Sequence, residues 1–110
     1  MAPDQQELLH GTLETLILKT LATGPRHGYA IARWLETATG DGLQIEDGSL
    51  YPALYRLENR GWIRARWTRS ELGRPVKSYQ LTAAGRRQLA ANVKAWSRFS
   101  RSVSKVLLNP

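Results

Sequence analysis

The 110-residue sequence predicts a mainly helical α+β domain: three helices, a small β-hairpin and one further long helix. Three observations carry this. Apolar residues recur at helical spacing up to about residue 60 and again after residue 82. Between Trp62 and Leu81 the period drops to two, as in a strand. Glycine and proline punctuate the joints. There are no cysteines and only two histidines, His10 and His27, so a disulfide framework, a thiolate nucleophile and a cysteine or histidine metal cage are excluded. There is no run of about 18 apolar residues to span a bilayer and no basic-then-apolar leader over the first 25 residues. A cytoplasmic protein with no membrane partner and no cofactor is expected.

In chain order, apolar residues at 9, 13, 16, 17 and 21 mark a first helix over Leu8–Leu21, ended by TGPRHG, where Gly24 and Pro25 break it. A second helix follows over His27–Ala38, with Tyr29, Ile31, Trp34 and Leu35 as its large residues, and TGDG closes it. Leu43-Gln44-Ile45 alternates like a stub strand. In EDGSLYPALYRLENRGWI, Leu50, Leu54 and Leu57 repeat at i, i+4, i+7 and must face the core, and Gly61 stands where the helix stops. The start of this third helix has two readings. If Ser49 is the N-cap, Pro52 lies in the first turn, where its missing N–H costs little. If Glu46 or Asp47 caps, Pro52 removes an internal hydrogen bond. A start at 47 to 49 is preferred.

In WIRARWTR, Trp62, Arg64, Arg66 and Thr68 share one face, and Ile63, Ala65, Trp67 and Arg69 the other. SELGRP is the turn, and VKSYQL returns with Lys77, Tyr79 and Leu81 on one face. Thr82 then caps a long last helix whose Leu89, Val93, Trp96, Val103, Val106 and Leu107 form an apolar stripe with nothing left in the chain to cover. Residues 1–81 and 82–110 are thus a three-helix-plus-hairpin domain and a helix that belongs to the same compact unit. His27, opening a helix after a Pro turn, reads as a capping or packing residue rather than a pH or metal site. Trp62 and Trp67 read as hinge and sheet packing, with an exposed indole lying against a sugar as the alternative.

Charge is divided unevenly. Residues 1–59 hold four Lys/Arg against eight Asp/Glu, net −4, and residues 60–110 hold twelve against one, net +11. A basic half of this kind is a footprint for a polyanion. Three helices and a hairpin make the winged helix-turn-helix plan, in which the third helix enters the DNA major groove and the hairpin, the wing, reaches the neighbouring backbone. With its leucines turned inward, the third helix shows Ser49, Tyr51, Pro52, Tyr55, Arg56 and Asn59, with Glu58 at the edge where it would pair with an arginine. Arg56 suits guanine edges and Asn59 adenine edges. The wing supplies Arg64, Arg66, Arg69, Arg74 and Lys77, whose guanidinium and ammonium groups suit phosphates. The competing role for these cations is to guard a hairpin edge against strand addition.

EDGSLYPALYRLENRGWI, GRPVKSYQLTAAGRRQL and LHGTLETLILKTLATGPRHGYAIA closely resemble, in order and spacing, the PadR family of bacterial transcriptional regulators, over about residues 7–107. The single last helix looks like that family's short-tailed branch. The resemblance implies a homodimeric winged-helix repressor that binds double-stranded DNA at a palindromic operator and is released by a small molecule or other signal. It assigns Ser49, Tyr51 and Pro52 to the recognition-helix start and Arg74 and Lys77 to the wing. Many relatives carry a further basic residue and tyrosine where this chain has Val76 and Ser78, so its returning strand is less basic. The stripe of the last helix, joined by Leu8, Leu9 and Leu13, reads as the dimer surface. Trp96 stands where some short-tailed members stack flat aromatic drugs between protomers, and it is a candidate ligand contact beside the plainer role of interface packing.

The alternative function is a non-specific nucleic-acid binder using the same basic half without base readout. An enzyme finds no support, since no nucleophile elbow, phosphate-binding glycine loop or catalytic pair is present.

Overall fold

The structure, a computed structural model, describes residues 11–110. Leu8 and Leu9 lie outside that range. Helix α1 is Leu13–Ala22, strand β1 Arg26–His27, α2 Gly28–Ala38, α3 Asp47–Asn59, β2 Ile63–Arg69, β3 Pro75–Leu81 and α4 Ala83–Leu107. The core forms where the helical periods converge. Ile17, Leu18 and Leu21 of α1, Ile31 and Leu35 of α2, and Leu50, Leu54 and Leu57 of α3 are buried together, with Ile63, Tyr79 and Leu81 as the sheet's contribution. This is the three-helix and wing arrangement that the sequence predicts. Leu13, expected at an interface between protomers, is buried here instead, because it shares the inward face of α1 with Ile17 and Leu21.

The sheet has one strand more than the expected hairpin. Arg26 and His27, read from sequence as a turn and a helix start, pair antiparallel with Tyr79 and Ser78, so that the order is β1-β3-β2. Two residues carry no periodicity to read, yet they cover backbone groups of β3 that would otherwise form an open edge. Leu43-Gln44-Ile45 is not a strand. It is a loop with Ile45 buried, held by the Ile45 N–H donating to Glu36 Oε2 at 3.0 Å.

Helix α3 starts at Asp47, within the preferred 47 to 49, and of the two cap readings it takes the earlier one. Glu46 is the N-cap and Ser49 lies in the first turn, which places Pro52 at the sixth helical position rather than in the first turn. The missing N–H therefore falls inside the helix, opposite the Gly48 carbonyl. Gly48 and Pro52 are both exposed, so the lost bond lies on the solvent side and the helix continues to Asn59.

The wing and α4 are fixed by one joint. Gly61, at φ +75°, turns the chain out of α3. The Thr82 hydroxyl donates to the Gly61 carbonyl at 2.7 Å and accepts from the Gly85 N–H at 3.0 Å, while the Thr82 N–H donates to the Trp62 carbonyl at 3.1 Å. Gly85 is buried, and a methyl there would overlap the Trp62 carbonyl. The Leu-Thr-x-x-Gly step thus lets a helix start directly against the root of the wing. From Leu89 onward α4 runs along α1, where Asn92 Nδ2 donates to Thr15 Oγ1 at 3.0 Å. It then extends beyond it.

Glycine-to-alanine changes inside helices ordinarily stabilise by about 1 kcal/mol. For Gly85→Ala the overlap wins, and we expect a net loss of about 1–3 kcal/mol, read as a lower urea midpoint with an unchanged slope. A higher midpoint would mean that α4 can move away from Trp62 without cost.

Candidate nucleic-acid interface

At 3.6 residues per turn, the buried leucines of α3 leave Pro52, Tyr55 and Asn59 on the outermost line, all exposed. The two flanks differ. On one, Arg56 Nε donates to Glu14 Oε1 at 2.7 Å and Arg60 Nη1 to Glu14 Oε2 at 2.8 Å, tying α3 to α1. Such exposed pairs contribute only about 0–1 kcal/mol to stability, but they direct both guanidinium groups toward α1. Arg56, a base-reading candidate from sequence, is therefore engaged within the chain, whereas Asn59 makes no side-chain hydrogen bond or ion pair among the described residues. Arg60 also lies over the Trp62 ring, 5.0 Å from its centroid.

The other flank, with Tyr51, Tyr55 and Glu58, faces the wing across a cleft of about 440 Å³. Its far wall is Trp67, Val76 and Lys77, its floor Tyr79, and its end the start of α2, His27 to Tyr29. Gly28 is the reason Tyr51 can lie down: its Cβ position is 3.0 Å from the Tyr51 ring, so a side chain there would lift the tyrosine. His27 caps nothing with its ring. It stacks on Tyr29, centroids 5.8 Å apart, with Nδ1 3.3 Å from the Lys77 carbonyl oxygen. Packing is thus its role. Glu58 makes no ion pair among the described residues, contrary to the arginine partner expected for it. Trp67, expected to pack in the sheet, is 67% exposed, with Lys77 Nζ 5.8 Å from its ring centroid.

The register β2 to β3 pairs Ile63 with Leu81, Ala65 with Tyr79, Trp67 with Lys77 and Arg69 with Pro75. These residues share the face that carries the core and the cleft. Arg64 and Arg66 stand opposite Gln80 and Ser78 on the reverse face, where they line a separate recess with Pro25. The structure therefore splits the five wing cations. Arg69, Arg74 and Lys77 lie at the tip or on the cleft side, with Arg69 Nη1 donating to the Gly73 carbonyl at 2.9 Å. Arg64 and Arg66 are not brought to the α3 side.

Sequence reasoning missed Glu14 and Gly28, and it named Tyr29 and Trp67 without placing them in a common cleft. Glu14 could not have been found from spacing, since its partners lie 42 and 46 positions away. No group of three or more histidine, cysteine or acidic residues could hold a metal among the described residues, and no described helix is long and apolar enough to cross a membrane.

Residues 17–91 match the model of the transcriptional regulator PadR-like family. A solved transcriptional regulator from Clostridium thermocellum superposes with a TM-score of 0.84 at 25% identity, over 92% of this chain and 98% of that one. A PadR family transcriptional regulator from Eggerthella lenta superposes with a TM-score of 0.79 at 33% identity, over 96% and 89%. An uncharacterized protein of Lysinibacillus sphaericus is 29% identical over 93 residues, 84% of this chain and 85% of its own length.

Burial, then the Glu58 carboxylate and Tyr51, push the Tyr79 phenol above its ordinary 10.0. Because the folded value is the higher one, the unfolded chain ionises first. The stability from this group is whole below pH 10.0 and is lost as pH rises through the folded value. Phenolate absorbance should accordingly show a late phase above pH 10 that is absent in Tyr79→Phe. Persistence of that phase in the variant would assign it to another residue.

Proposed function

The chain belongs to the PadR-like family of transcriptional regulators, and on that footing we propose that it is a homodimeric repressor of an inverted-repeat operator in double-stranded DNA. The observation that carries this is the pairing of a carboxylate-free outer line on α3, Pro52-Tyr55-Asn59, with a wing whose Arg69, Arg74 and Lys77 stand on the α3 side or at the tip. Asn59 offers a bidentate amide to an adenine edge. Ser49, Tyr51 and the wing cations supply phosphate contacts that position the protein without reading sequence. A bound dimer covers promoter DNA, and repression is the direct consequence of that occupancy.

Dimerisation is supported by α4. Val93, Trp96, Phe99, Val106 and Leu107 are all exposed on this one helix, a contiguous apolar face of the kind that marks an interaction surface. Phe99 extends the stripe read from sequence, and Leu89, half-buried against the core, begins it. A two-fold pairing there would set two α3 helices about 34–36 Å apart, in successive major grooves. Val103 belongs to the same stripe, and an aromatic effector stacked on Trp96 within the interface completes the proposal.

Gel-shift titration against the DNA flanking its own gene tests the reading. A specific site should be held at least about 10³-fold more tightly than random duplex at equal salt, whereas equal competition by random DNA establishes the non-specific binder instead. Asn59→Ala should relax preference at one base pair per half-site, by about 1–3 kcal/mol. Arg74→Ala should weaken all sequences alike and reduce the salt slope by about one. In sedimentation, Val106→Asp should run as a monomer, and an unchanged dimer would move the interface off α4.

A further inference from the structure

The cleft between α3 and the wing has a chemistry that phosphate contact does not explain. Four aromatic side chains line its sides, Tyr29, Tyr51, Tyr55 and Trp67, each of them more than 40% exposed, and Tyr79 is its floor. Among them stands one carboxylate, Glu58, half-buried and without an ion pair among the described residues. In a chain with sixteen Lys/Arg against nine Asp/Glu, a lone acid beside a wing meant for a polyanion is a cost to that task. It repels phosphate at close range. Its charge is felt inside the cleft, where it is the second cause, after burial, that holds the Tyr79 phenol up.

Aromatic faces around a carboxylate are the arrangement that recognises an organic cation: ring quadrupoles attract the charge and the acid neutralises it. The protein already displays half of this chemistry, since the Lys77 ammonium rests over the Trp67 ring. We infer that the cleft formed by Tyr29, Tyr51, Tyr55, Trp67 and Glu58 is a binding site for a small planar organic cation, of amidinium or aromatic ammonium type. The cation enters between the tyrosines and Trp67 and its N–H donors meet Glu58, while the exposed Lys77 side chain swings out to water. The cleft's volume of about 440 Å³ lies in the ordinary range for small-ligand sites. This site is distinct from any pocket at Trp96, which stands on α4. Because Tyr51, Tyr55 and Lys77 are also DNA-facing groups, an occupied cleft competes with DNA, a consequence that rests on the DNA-binding reading.

The test uses the full chain without DNA, so that its failure is separate from failure of that reading. Calorimetric titration with benzamidine, cationic at pH 7, and with benzamide, its neutral near-isostere, should show at least tenfold tighter binding of the cation. Glu58→Gln should remove that preference, and Trp67→Leu at an exposed position should weaken both. Equal binding of the two probes, a preference for benzamidine that survives Glu58→Gln, or binding untouched by Trp67→Leu, overturns the inference. With a duplex present, saturating benzamidine should raise the apparent Kd for DNA in the wild type and not in Glu58→Gln. An unchanged Kd in the wild type overturns the competition while leaving DNA binding itself standing.

Discussion

The hydrogen bonds of Thr82 are the constraint on which the rest of this molecule depends. One side chain closes the first turn of α4 through the Gly85 N–H and holds the carbonyl of Gly61 at the end of α3, while the backbone of the same residue grips Trp62 at the root of the wing. Three elements that must keep a fixed geometry, the exposed helix, the wing and the long C-terminal helix, therefore meet within a few residues of one threonine. The absence of a side chain at Gly85 is what allows that approach. A cap ordinarily stabilises one helix by about 1 kcal/mol. Here it also sets the angle between the two arms of the cleft and the direction in which α4 leaves the domain.

Given that joint, α3 is partitioned by geometry into four lines, and each has different neighbours. The leucines are consumed by the core, Arg56 and Arg60 by Glu14, and Tyr51 with Glu58 by the cleft. What is left for direct contact with a groove is narrow: Pro52, Tyr55 and Asn59. Pro52, inside the helix rather than at its start, has no N–H to offer and presents only a rigid apolar ring. The hydrogen-bonding capacity of the outermost line thus rests on a phenol and an amide. This concentrates any base discrimination into fewer side chains than the helix sequence suggests.

How far the sequence is legible depends on the range of the interaction in question. The helices, the wing and the Thr82 cap were all readable because each is written in residues within a few positions of one another: the Leu50-Leu54-Leu57 repeat, the alternation through Trp62–Arg69, the Thr82-to-Gly85 step. The alternation also sorts the faces of β2, and the structure keeps that sorting. What it could not tell is which face meets α3, and so Arg64 and Arg66 were grouped with cations from which the sheet separates them. Strand β1 is two residues long, below any period. The Glu14 pairs and the contact of Gly28 with Tyr51 span 42 and 46 residues in the one case and 23 in the other. Those are decided only when the chain has folded. Leu13 was misplaced for a related reason: periodicity says that it is on an apolar face, not what covers that face.

The charge asymmetry needs the same care. Of the twelve cations after residue 59, six are on α4 (Arg86, Arg87, Lys94, Arg98, Arg101 and Lys105), Arg60 is held by Glu14, and Arg64 and Arg66 are on the reverse of the sheet. Only Arg69, Arg74 and Lys77 remain on the cleft side or at the tip of the wing. The net +11 of this half therefore measures a field that can draw a polyanion in from about a Debye length, rather than a count of contacts it can make once there. Affinity for duplex DNA in salt scales with the number of phosphates neutralised, and three wing cations per chain make a weak footprint. Doubling them through the proposed pairing on α4 would double the exponent of the salt dependence and would join two short α3 readouts into one longer site. On this chain, then, the proposed dimer is a condition for useful DNA affinity at physiological salt, which gives the apolar stripe of α4 a physical reason to be where it is.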